Sequence, residues 1–148
     1  MSTLTQETKD VNDELWALLA KAHHACTRPI ALSGNCREFV SMLLELRNQL
    51  ALYFALEESY SYFDDPVNVP LHTDYWGEQL RSEHFRLYSH FSDIVQQAET
   101  MLAEKQQAFW ESRVPRQFLA FHEELMIHEH RENELLIAML DQDIGISD

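Results

Sequence analysis

Between Phe118 and Met139 the chain repeats apolar residues at alternating steps of three and four: Phe118, Phe121, Leu125, then Leu135 and Met139. His128 and Glu132 hold the two middle places of the same row. Such a row is one face of a helix, the face that packs into a core. Glutamate is almost never buried alone, because an unpaired carboxylate out of water is costly. A metal ion shared between helices would satisfy both side chains. A buried His–Glu hydrogen bond, or a water-filled kink, would do so without one.

Three other segments carry a similar defect. The row Phe39, Leu43, Leu46, Leu50 runs on to Tyr53, Glu57 and Tyr60. His84 is the polar member of Leu80, His84, Leu87, Phe91 and Ile94, and His23 stands among Trp16, Leu19 and Cys26. Alone, His23 reads as a hydrogen-bonded core histidine, and Tyr53 as a core aromatic whose hydroxyl finds a partner. Histidines and carboxylates together inside a bundle are a recurring way for helices to hold two metal ions. Mixed nitrogen and oxygen donors suit iron or manganese; closed zinc sites more often use cysteine.

The elements that would position these groups are long amphipathic helices. Asn12 can cap the first, which Pro29 ends; Asn35, with Glu38 three places on, caps the second to about Phe63. Asp64 to His72 reads as a loop, Thr73 caps the third helix, and Ser112 with Pro115 opens the fourth. Phe109 and Trp110 fall in the last connector, where they could lid one end. The spacing predicts an all-α fold, an up-down-up-down antiparallel four-helix bundle over residues 12–141. Residues 1–11 are expected to be disordered or frayed, and 142–148 to form a tail.

Heights along such a bundle can be compared. From His23 to Asn35 the chain climbs about 25–30 Å, and from Cys36 to Tyr53 it descends about 25 Å. On that reckoning His23, Tyr53, Glu57, His84, His128 and Glu132 meet at one level.

Composition limits the alternatives. The chain has 148 residues, 45% of them apolar, with 3 Gly and 4 Pro, which suits one helical domain. Its net charge of −14, from 11 basic and 25 acidic residues, argues against nucleic acid or an anionic membrane as partner. No apolar run reaches the ~18 residues of a membrane span, and Met1–Asp10 lacks a signal peptide's apolar stretch. Cys26 and Cys36 form no CxxC motif and are expected to stay reduced, in a cytoplasmic protein.

The ordered set of motifs resembles the hemerythrin-like, or HHE cation-binding, domain. The match is FLAFHEELMIHEHRENELL on the fourth helix, with QLRSEHFRLYSHF giving His84, LRNQLALYFALEESY giving Glu57, and LLAKAHHAC giving His23 or His24. The resemblance covers about residues 12–140. It implies iron, two ions in the family's ordinary form, held by His23, Glu57, His84, His128 and Glu132. Tyr53 departs from the pattern, standing where the family has histidine. It could ligate ferric iron as a phenolate, leave a single ion, or belong to a metal-free core; the competing outcome to ligation is a neutral hydroxyl bonded to Glu57 or water. The implied function is binding or sensing of dioxygen, nitric oxide or a related small oxidant, with a partner protein for signal output. An oxidase, peroxidase-like or iron-repair enzyme, or an interaction bundle without metal, are the alternatives. The cysteine motif of the iron–sulfur repair relatives is absent.

Overall fold

The computed structural model describes residues 3–28, 32–60 and 71–147, with side chains described within 12–28, 32–58 and 78–138 apart from Leu136. Four helices account for these residues: α1 Thr3–Cys26, α2 Cys36–Tyr60, α3 Leu71–Ala103 and α4 Gln107–Ser147. They pack as a four-helix bundle, α1 on α2 and α4, and α3 on α2 and α4. Direction can be read from paired side chains. Gln97 bonds Gln117, His90 meets Glu124 and His84 meets Glu132, so α3 and α4 run in opposite senses. Phe39 packs on Phe118 and Tyr53 bonds Glu129, so α2 and α4 run in the same sense.

Several boundaries differ from the sequence reading. α1 begins at Thr3 rather than Asn12, and α4 continues through Gly145 to Ser147 rather than ending near Asp141. Capping residues mark favourable starts, but a helix continues past them when nothing forces a break. Pro115 lies well inside α4, and Ser112 does not cap it: its hydroxyl donates back to the Phe109 carbonyl at 3.0 Å. The stop is set instead before Gln107. Lys105 adopts φ 58°. Its N–H bonds the Leu102 carbonyl at 3.2 Å, while the Gln106 N–H bonds that of Met101 at 2.9 Å. This is a Schellman closure of α3, with lysine where glycine is preferred. Of the expected loop from Asp64 to His72, the part up to Pro70 lies outside the described residues, and α3 is already helical at Leu71, so Thr73 lies within it rather than capping it.

The core is richest where α2 and α4 begin. Phe39, Trp110, Phe118, Phe91 and Phe121 are buried there, with Phe39 edge-on to Trp110 at 5.7 Å and to Phe118 at 6.1 Å. Edge-to-face packing suits the ring quadrupoles. Trp110 therefore closes this end as expected, from within α4, while Phe109 stays exposed under the Arg113 guanidinium, 5.1 Å from its ring. Cys26 and Cys36 are buried free thiols; burial pushes Cys26 up to about 12. Among the described residues no helix is long and apolar enough to cross a membrane.

Candidate metal centre

Toward the other end the seams carry polar groups. α2 supplies Tyr53, Glu57 and Glu58; α3 supplies Glu83 and His84; α4 supplies His128, Glu129, Arg131 and Glu132. His84, His128 and Glu132 are buried, and each can offer a ligand atom within 4.8 Å of the others. Glu57, Glu129 and Glu132 form a second such group with the same limit. Glu132 belongs to both.

The two imidazoles are held alike. His84 turns Nδ1 to Glu58 at 3.1 Å, and His128 turns Nδ1 to Glu83 at 3.0 Å. Glu83 is itself held by the Arg131 guanidinium at 3.1 Å. An outer carboxylate on Nδ1 fixes the ring so that Nε2 is the inward atom, an arrangement common around metals. Phe54 stacks on His84 with centroids 4.2 Å apart and planes 11° from parallel, which limits rotation of that ring.

Both Nε2 atoms face the same oxygen: Glu132 Oε1 is 3.1 Å from His84 and 3.5 Å from His128. Two atoms each about 2.1 Å from one ion, at angles of roughly 95–115°, are themselves about 3.1–3.5 Å apart. The inward edge of the cluster thus has the dimensions of a ligand set. Four buried atoms in the cluster have no hydrogen-bond partner: Glu57 Oε1, His128 Nε2, Glu129 Oε1 and Glu132 Oε2. Buried polar atoms are normally satisfied, so four together call for a missing cation, water or proton. The donors are imidazole nitrogens and carboxylate oxygens, a set that fits iron or manganese.

The titration of the carboxylates says the same. Burial raises Glu57, and Glu132 and Glu129 raise it further. Burial and then Glu132 push Glu129 up to about 7. Burial also opposes the charge of Glu132, but the adjacent His128 and His84 imidazoles outweigh that and hold it low. His128 is desolvated, yet the nearby Glu132 carboxylate and then its other acidic contacts raise it above the ordinary histidine range. Without a cation, protons on Glu57 and between His128 and Glu132 balance the charge; a bound metal would replace them.

Tyr53 is buried, and its hydroxyl donates to Glu129 Oε2 at 2.9 Å. Burial, then Glu57, Glu129 and Glu132, hold the phenol protonated far above its usual range. The acceptor of its hydroxyl is thus Glu129, rather than Glu57 or water. Glu129 was missed because the row was taken through Leu125, His128 and Glu132. Leu125, Glu129 and Glu132 are equally well spaced for a helix face, and that spacing was the available signal.

His23 is not brought to the cluster. Its ring lies against His122, centroids 4.5 Å apart, and burial and then His23 lower His122. At the height of Tyr53, α1 presents Trp16, edge-on at 6.5 Å. His23 is seven residues further along α1, about 10 Å. The height estimate failed because it took the first connector as extended. Its described part, Leu32–Asn35, instead folds into a turn, with the Asn35 N–H bonded to the Leu32 carbonyl at 3.0 Å.

Comparison with protein-family models, with curated proteins and with solved structures finds no match to this chain.

Proposed function

We propose that this chain is a non-haem iron-binding protein of hemerythrin-like type, and that it binds or senses dioxygen, nitric oxide or a related small oxidant. The observation that carries this reading is the pair of imidazoles anchored outward by Glu58 and Glu83 and facing one buried carboxylate, Glu132, whose second oxygen has no partner. His84, His128 and Glu132 are the residues that would hold the ion. Iron bound there would supply a redox-active centre for a small oxidant.

The remaining residues prepare that place. Glu58 and Glu83 orient the rings, and Phe54 fixes the tilt of His84. Burial at 2%, 1% and 2% exposure for His84, His128 and Glu132 keeps bulk water from competing for them. Tyr53 serves as a neutral donor to Glu129 in this reading, and the phenol is not a ligand.

The test is anaerobic loading of the metal-free protein with ferrous iron, removal of excess, and elemental analysis with an optical spectrum before and after nitric oxide. Iron retained by the wild type, a spectrum altered by nitric oxide, and loss of both in Glu132→Ala support the reading. Wild-type protein that retains no more iron than Glu132→Ala would leave a metal-free bundle as the answer. Tyr53→Phe should keep any visible absorption; its disappearance would restore the phenolate ligand.

A further inference from the structure

The histidines of this chain keep two kinds of company. His84 and His128 turn ring nitrogens to Glu58, Glu83 and Glu132, His90 turns one to Glu124, and His130 turns one to Glu134. His23 and His122 instead face each other across the seam of α1 and α4, with ring centroids 4.5 Å apart and planes 38° from parallel. Both are half-buried. Among the described residues neither ring has a carboxylate or other hydrogen-bond partner. In a chain with 25 acidic residues, two histidines that meet each other rather than an acid are an exception.

We propose that His23 and His122 form a separate metal site, a two-imidazole clamp between α1 and α4 that takes copper(II), with water filling the remaining positions. The clamp stands apart from the buried centre. His122 lies six residues before His128 on α4, about 9 Å along the axis, and α1 presents Trp16, not His23, at the height of Tyr53.

Ring spacing points to the ion. With metal–nitrogen bonds of about 2.0 Å and about 1.2 Å from nitrogen to ring centre, two imidazoles at a right angle on one ion stand about 4.5 Å apart. A tetrahedral angle would set them at about 5.2 Å. His84 and His128, whose Nε2 atoms converge on one oxygen, stand 4.7 Å apart. Nitrogen donors at a right angle belong to tetragonal copper(II) or nickel(II), and copper binds the more tightly of the two. Burial, and then His23, lower His122. That keeps the ring neutral near pH 7, the form in which imidazole ligates. The half-exposed edge of the pair leaves room for the waters that complete such a site.

The competing role is packing alone, since His122 also lies against Phe118 with centroids 6.2 Å apart. His122→Phe separates the two, because phenylalanine keeps the ring contacts and removes the nitrogens. Copper(II) is titrated into the full-length, metal-free protein, and bound ion is followed by elemental analysis and electron paramagnetic resonance. Wild type is compared with His23→Ala, His122→Phe, His24→Ala and Glu132→Ala, each verified as folded by far-ultraviolet circular dichroism. The expected result is one copper whose spectrum shows coupling to two nitrogens, and which His24→Ala and Glu132→Ala retain. His23→Ala and His122→Phe should each bind it about 100-fold more weakly, beyond what loss of an outer-shell partner does. Unchanged copper in His122→Phe or His23→Ala, or an equal loss in His24→Ala or Glu132→Ala, overturns the proposal. Neither ring is a ligand in the iron reading, so the two fail separately: a wild type that retains no iron would still hold this copper.

Discussion

The two ends of this bundle solve the problem of burial in opposite ways. At the end where α2 and α4 begin, Phe39, Trp110 and Phe118 fill the interior, edge against face. At the level of Tyr53 and His84 the same helical faces carry carboxylates and imidazoles, four of whose buried atoms lack a partner. At the first end apolar contact does most of the filling, although the buried Trp110 Nε1 has no hydrogen-bond partner. At the second, several such atoms converge, and a cation, a water or a proton would complete them. A bundle can carry such a deficit only because the rest of its seam is long and apolar.

The comparison can be broken most severely at the aromatic end. Phe118→Ala should cost about 3–5 kcal/mol in chemical denaturation, the usual range for a fully buried aromatic. It should do so to a similar extent with and without metal. A loss confined to the metal-loaded protein would mean that the two ends are not independent.

At the polar end the larger effects are on binding. His128→Ala and Glu132→Ala should each lower iron affinity by about 100-fold or more, beyond what loss of an outer-shell partner does. His122→Ala and His130→Ala should leave it unchanged. His122 faces His23, and the exposed His130 pairs with Glu134 at 3.1 Å. Comparable loss in all four, by elemental analysis, would show that the inward face of α4 is wrongly phased.

The polar end should also improve when its deficit is removed. Glu57→Leu replaces a repelled carboxylate by an apolar side chain, and the metal-free protein should gain about 1–2 kcal/mol. A clear loss of stability would mean that Glu57 already has a partner in the metal-free state.

The pH dependence follows from the same groups. Glu129 at about 7 lies above the ordinary carboxylate value, and Glu57 is raised as well. Between pH 4.5 and 7 the native state then holds more protons than the unfolded chain. The stability they contribute is present in full below pH 4.5 and is lost as pH rises through 7 and beyond. The melting temperature of metal-free protein should fall from pH 5 to pH 9. Metal affinity should rise over the same range, because ligands bind deprotonated. A flat melting profile would contradict the charge deficit.

The smallest effect returns to the aromatic end. Lys105→Gly should raise stability by about 0.5–1 kcal/mol, because glycine accepts positive φ without the steric cost. The gain should be the same with and without metal.

How far the sequence led depends on which coordinate is asked for. Helical phase was legible: Phe118, Phe121 and Leu125 are all fully buried, and His84, His128 and Glu132 share their interior. Height was less so. It depends on connectors, and a compact turn at Leu32–Asn35 was enough to bring Trp16 rather than His23 to the level of Tyr53. Neighbouring faces were harder still. Glu129 sits one residue from His128, about 100° around the helix, yet it bonds Tyr53, because α2 approaches that flank of α4. Glu58, next to Glu57 and off its row, is partly exposed and anchors His84. Such roles depend on which helix lies opposite, and a single helical repeat does not encode that.

Both described turns, at Leu32–Asn35 and at Glu104–Gln106, lie at the aromatic end, so the molecule is two helical hairpins joined through the segment between α2 and α3. His84, His128 and Glu132 all belong to the second hairpin, as do Glu83 and Arg131. Glu57 belongs to the first, as do Glu58 and Phe54, which hold the His84 ring. Contacts within a hairpin close short loops and form early, whereas those between hairpins wait for docking. His128 can thus gain its anchors before the hairpins meet and His84 only afterwards, and a cation that also reached Glu57 would latch the two together. Hydrogen exchange would show it as slowed opening of α2 against α4 on loading, with protection inside the α3–α4 hairpin already present.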